Sequence, residues 1–168
     1  MSVTQWEALT ILLEGHEKGL AKLALLEGVV ERLKRGQVAD ALPRLHEVLE
    51  FFNGELRAHF LHEEDGLFPV LASVIGRMGP VGAMKEEHQS IWRTVGALEG
   101  RIAELEQDSA GTLEEIERGA THVLGLLRSH IQKENEMLFP LAEHRLSDRD
   151  KQEVVHRIKA AMANTRVK

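Results

Sequence analysis

A chain of 168 residues with 43% apolar and 29% charged side chains and only four prolines is long enough to bury one core, and its composition excludes a disordered or fibrous protein. The absence of cysteine excludes disulfides, thiolate metal sites and thiol catalysis, and a net charge of -6 gives no basic footprint for nucleic acid or an anionic membrane. The longest run without Asp, Glu, Lys or Arg, 66–76, is too short to span a bilayer, and Glu7 and Glu14 break any signal-peptide plan, so a single cytoplasmic domain over residues 1–168 is expected.

Thr4 and Glu7 read as a capping box opening a first amphipathic helix. Its stripe is Trp6, Leu9, Leu13, His16, Leu20, Leu23, Val30 and Leu33, with Glu27 in the one gap and Gly36 at its end. Asp40 is the expected cap of a second helix, with Pro43 in its first turn and the stripe Leu42, Leu45, Leu49, Phe52, Leu56, His59 and Glu63, ended or kinked by Gly66 and Pro69. Pro80 opens a third, with Val81, Met84, His88, Ile91, Val95, Leu98, Ile102 and Leu105 on one face. After a turn at Asp108 to Gly111, Thr112 and Glu115 cap a fourth, whose stripe is Leu113, Ile116, Ala120, Val123, Leu127, His130 and Glu134 before a kink at Pro140. Ser147 starts a shorter segment carrying Val154, Val155, Ile158 and Met162, and no β pattern occurs.

Four long amphipathic helices with short connections predict an all-α protein. The expected architecture is an antiparallel up-down four-helix bundle over about 4–145, with the C-terminal helix (about 147–164) packed outside or used against a partner. His16 and His59 are centred on the first turn, and His88 and His130 on Ser109 in the second, so each lies roughly 32 Å from its turn and the two in each hairpin meet at one level. The sequence also duplicates itself: His16 to His88 is 72 residues, His59 to His130 is 71, and Glu14 matches Glu86. Two helical hairpins of one design result.

The stretches 59–69, HFLHEEDGLFP, and 130–140, HIQKENEMLFP, share the pattern HxxxExxxLFP. Positions i and i+4 of a helix share a face, so each copy presents an imidazole and a carboxylate together. A third HxxxE, His46 with Glu50, faces about 220° away from His59. His16, His59, Glu63, His88, His130 and Glu134 instead all fall within apolar stripes, where burial must be compensated. A purely structural network of ion pairs would spend that desolvation merely on holding the bundle together. Four imidazoles and two carboxylates suit two metal ions, each receiving two nitrogens and two oxygens if Glu63 and Glu134 bridge, with room for a solvent-derived bridge and an exchangeable ligand. Iron is favoured; zinc and manganese accept similar ligands.

The other histidines read as ordinary: His46, His144 and His156 as surface groups, His62 beside the stripe, His122 at its boundary. Glu14, Glu55, Glu86 and Glu87 are candidates for orienting ligand imidazoles through the second ring nitrogen. The Leu67–Phe68 and Leu138–Phe139 pairs read as a hydrophobic plug, and Gly15, Gly19, Gly96 and Gly125 as sites of close helix packing or a small-molecule path.

With LFP after each HxxxE pair, the pattern H…HxxxE…H…HxxxE over residues 10–145 resembles the hemerythrin-like HHE cation-binding family. The resemblance implies a four-helix bundle with a non-haem di-iron centre, oxo- or hydroxo-bridged, with His16 and His59 on one iron, His88 and His130 on the other, and Glu63 and Glu134 bridging. The sequence departs from the oxygen-carrying members, which have a fifth histidine one turn from the third and a bridging aspartate. Met84 and Trp92 stand one turn either side of His88, and the second bridge is Glu134. The missing ligand implies an extra open or solvent-filled position. The expected function is binding of, or reaction with, oxygen, peroxide or nitric oxide at that position, with an iron, oxygen or redox sensor acting through a protein partner, or a di-iron oxidase, as alternatives.

Overall fold

Every regular element of the computed structural model, which describes residues 5–107 and 112–166, is helical. In chain order the helices are α1 (Glu7–Lys34), α2 (38–75), α3 (Pro80–Glu106), α4 (113–145) and α5 (Asp148–Arg166). Thr4 and the turn expected at Asp108 to Gly111 lie outside the described residues. α1 packs against α2 and α4, and α3 packs against α4. Among the described residues no helix is long and apolar enough to cross a membrane.

Helix ends follow local chemistry. α1 stops where Gly36 takes φ 72°, the left-handed conformation that lets the Gln37 N–H reach the Arg32 carbonyl at 2.9 Å. α2 then starts at Val38, so Asp40 is not its cap but an acidic residue in its first turn, where it complements the helix dipole. Thr112 does cap α4, accepting the Glu115 N–H at 3.2 Å. Ser147 and Asp150 bond reciprocally across the start of α5, at 3.0 and 3.2 Å between backbone N–H and side chain.

Pro69 and Pro140 interrupt neither helix. A proline removes an N–H and drives its ring against the carbonyl four residues back. Each proline here follows a π turn, His62–Leu67 in α2 and Glu134–Leu138 in α4. In them the Phe68 N–H bonds the Glu63 carbonyl and the Phe139 N–H bonds the Glu134 carbonyl, both five residues back. The wider turn accommodates the ring, and α2 runs on to Ile75 and α4 to Arg145.

The α3 stripe lies where expected, buried from Val81 to Ile102. The α1 stripe is rotated: Leu12, Gly19 and Leu26 are buried, whereas Leu13 is half-buried, Leu20 is 43% exposed and Glu27 is exposed. Leu12, His16, Gly19, Leu23, Leu26, Val30 and Leu33 form an unbroken line at steps of four and three, which a glycine conceals.

Two apolar clusters result. One runs from Leu23, Leu45 and Phe52 to Ile91, Leu98 and Leu127; the other holds Leu12, Leu67, Phe68, Met84, Leu138, Phe139 and Ile158. The second contains the Leu-Phe plugs and receives α5, which lies on the π turn carrying Glu63. Gly66 permits that seat, since a Cβ there would stand 2.6 Å from Ile158 Cγ1.

Candidate metal centre

Between the two clusters lies the polar level. His16 comes from α1, His59 and Glu63 from α2, His88 from α3, His130 and Glu134 from α4; all six are buried, the two glutamates completely. The rings meet within each hairpin as the register requires, with centroids 4.9 Å apart for His16 and His59 and 4.8 Å for His88 and His130. Two groups form, each with one ligand atom per residue all within 4.8 Å of one another: His16, His59, Glu63 and Glu134; and Glu63, His88, His130 and Glu134. The glutamates belong to both. Glu63 Oε1 stands 2.9 Å from His59 Nε2 and 3.8 Å from His16 Nε2, and its Oε2 3.2 Å from His88 Nε2. Glu134 Oε2 lies 2.9 Å from His16 Nε2, and its Oε1 3.3 Å from His130 Nε2.

The outer ring nitrogens decide what the inner ones can do. His16 Nδ1–H donates to Asn135 Oδ1 at 2.6 Å, His88 Nδ1–H to Glu64 at 2.6 Å, and His130 Nδ1–H to Glu87 at 2.9 Å. An oxygen acceptor requires the proton on Nδ1, so each neutral ring turns an Nε2 lone pair inward. Those of His88 and His130 face one another at 3.1 Å. Both oxygens of Glu63, Glu134 Oε1 and His59 Nε2 are buried without a hydrogen-bond partner. Converging lone pairs and orphaned carboxylate oxygens are an arrangement that protons relieve only partly and a cation relieves fully. The donor set, imidazole nitrogen and carboxylate oxygen, fits iron, zinc or manganese.

Without metal, protons must take that role. Burial opposes charge on His16 and His88, but the carboxylates bonded to them outweigh it and raise them from 6.5 to about 10 and about 9. Burial pushes Glu134 from 4.5 up to about 8, with Glu63 repelling its charge as well. Burial holds His130 down to about 4. Glu63 stays well below its ordinary range because the surrounding imidazoles outweigh its burial. Stability from the raised groups is present below their unfolded values of 6.5 and 4.5 and is lost as pH climbs through about 8 to 10. Stability from the lowered pair is present above 6.5 and 4.5 and is lost in acid. The metal-free protein is therefore expected to melt at a higher temperature near pH 6 than near pH 9. Metal requires neutral rings, so the gain in melting temperature on loading should widen over that interval. Metal-free melts that coincide at the two pH values would contradict this reading.

Of the proposed orienting carboxylates only Glu87 bonds a ligand ring, steadied by contact with Lys133. Glu14, Glu55 and Glu86 are exposed and bond none of the four. Glu64 and Asn135 went unread, although the repeat contains them. Each directly follows its site glutamate, and each reaches the histidine of the opposite hairpin. Gly15 lies against the His59 ring and Gly19 sits 3.6 Å from Ile131, whereas Gly96 and Gly125 face open space and serve no packing. His46, His122, His144 and His156 are exposed, His46 pairing with Glu106 at 2.5 Å.

The flank of His88 is not open. Phe60 stacks flat on the ring at 3.7 Å, and Phe68 lies 5.5 Å away. Trp92 packs edge-on against Phe60 at 5.6 Å with Arg57 over its face, and Met84 is buried in the second cluster. On the other side a cleft of 240 Å³ reaches His59, lined also by Glu14, Gly15, Lys18, Glu55 and His62.

A family model described as the hemerythrin HHE cation binding domain matches residues 7–142. Among curated proteins, the iron-sulfur cluster repair protein YtfE of Enterobacter sp. (strain 638) is 29% identical over 132 residues, 76% of this chain and 59% of that protein. Proteins of the same name from Salmonella newport and Salmonella agona match with the same identity and coverage. The chain thus spans 59% of the length of these relatives. No solved structure matches.

Proposed function

Since the chain belongs to the hemerythrin HHE cation-binding domain family, we propose that it is a di-iron protein whose metal pair binds or reacts with oxygen, peroxide or nitric oxide. His16 and His59 would hold one ion, His88 and His130 the other, with Glu63 and Glu134 bridging inside a single domain of antiparallel up-down helices. The observation that carries this reading is the inward convergence of Nε2 lone pairs, fixed by outward Nδ1–H bonds, onto carboxylate oxygens that have no other partner. The relatives' name, iron-sulfur cluster repair, supports iron over zinc or manganese. Repair itself belongs to longer proteins.

An iron pair held here would supply electrons and Lewis acidity to a small ligand. The chain supplies the rest. Asn135, Glu64 and Glu87 hold three rings in the metal-binding tautomer. Phe60 over His88 and Phe139, stacked on His16 at 5.1 Å, keep water from those ligands. With two nitrogens and two oxygens available per ion, coordination positions remain for an exchangeable ligand.

Protein loaded anaerobically with ferrous iron should contain about two irons per chain and gain near-ultraviolet and visible charge-transfer absorption on exposure to air. A protein that keeps one iron or fewer, or that shows no new absorption in air, would overturn the di-iron reading.

A further inference from the structure

The four imidazoles are not equally enclosed. Three are tied through Nδ1, and His16 and His88 are also covered by stacked rings. His59 is tied by nothing on that edge. It is only 7% exposed, yet its Nδ1 has no hydrogen-bond partner among the described residues and lies against the bare Cα of Gly15. A Cβ there would stand 2.3 Å from Nδ1. The internal repeat gives this meaning. Glu87, directly before His88, holds His130; 72 residues earlier, directly before His16, the corresponding position is Gly15. Where one hairpin has an orienting carboxylate, the other has a gap.

That gap opens on the cleft. Exposed Glu14 and Glu55 line it, with Lys18 Nζ 3.7 Å from Glu55 Oε2, and His62 contributes an Nε2 that is buried and unpartnered. A hydrated divalent cation sheds water in steps, exchanging it for oxygen and then nitrogen donors. Carboxylates beside such a cleft raise the local cation concentration. At the inner end, a ring with no outer hydrogen bond can turn to meet the ion without breaking a charge-assisted bond, as His88 or His130 would have to do.

We propose that the cleft between α1 and α2 is the port by which divalent metal ions reach the buried cluster, gathered by Glu14 and Glu55 and received by His59. The port rests on the metal-binding reading and adds to it a direction of entry. Uptake of Co2+ by metal-free protein, followed by stopped-flow at the cobalt visible bands in low-salt buffer, tests it. The double variant E14Q/E55Q should reach the wild-type cobalt content about tenfold more slowly, and K18E should fill faster than wild type. E114Q, an equal charge change at the far end of α4 about 24 Å along the helix from His130, should fill at the wild-type rate, and added salt should shrink the differences. All four positions are exposed, so folding is not at stake. Uptake in which E14Q/E55Q keeps pace with wild type, or in which E114Q slows equally, overturns the port alone. Wild-type protein that takes up no Co2+ overturns the metal reading and the port with it.

Discussion

Replacing Glu63 with alanine is expected to lower the metal content from about two ions per chain to fewer than one. No other side chain reaches as much of the site. Its two oxygens stand within 3.8 Å of His16, His59 and His88, and it belongs to both ligand groups. Loss of a terminal histidine would weaken one position, whereas loss of Glu63 takes an oxygen donor and a negative charge from both. Glu63→Gln separates the two contributions. It keeps the volume and one carbonyl oxygen but neither the charge nor the bridging geometry, and should lose at least one ion. Iron quantified by mass spectrometry after anaerobic loading and desalting decides the matter. Retention of both ions by Glu63→Ala would remove the bridge from the assignment. Circular dichroism on the same samples guards against simple unfolding.

Shortening Ile158 to alanine should destabilise the protein by about 2–5 kcal/mol, measured by urea titration. Ile158 is fully buried in the cluster that joins α5 to the Leu-Phe plugs, and it sits directly over Gly66. Gly66→Ala attacks the same contact from below and should cost about 1–3 kcal/mol, because its new methyl meets Ile158 Cγ1. The double variant should be more stable than the sum of the two losses predicts, since the shortened side chain leaves room for the methyl. Additive losses would mean that the two residues do not share one contact. The floor of this contact is the π turn that carries Glu63. Loosening α5 should therefore also speed extraction of metal by a chelator, and unchanged extraction would uncouple α5 from the site.

The helices and the level of the site were readable because they rest on spacing. The His88 stripe shows every apolar position in α3, and the matched distances from each turn bring His16 to His59 and His88 to His130. The family resemblance holds over residues 7–142. What stayed hidden has local physical reasons. The α1 line passes through Gly19, which carries no hydrophobic signal, so the pattern points to Leu20 instead. Pro69 and Pro140 look like breaks because a bond from five residues back leaves no mark in the sequence. Glu64 and Asn135 bond across hairpins, and a search along one helix face finds only neighbours such as Glu14 and Glu86.

The two π turns have a further consequence, which concerns phase. One residue more or less advances everything downstream on a helix by about 100°. In α2 and α4 the site residues lie before or at the start of such a turn and the Leu-Phe pair at its far end, so the turn indexes two buried faces that one continuous stripe would not align. Removing a single residue from 64–66 would leave His59 and Glu63 facing the metal site while swinging Phe68 and Leu71 out of the second cluster. The interval between glutamate and proline thus acts as a gear tooth. It sets how the chemistry of one half of the helix meshes with the packing of the other.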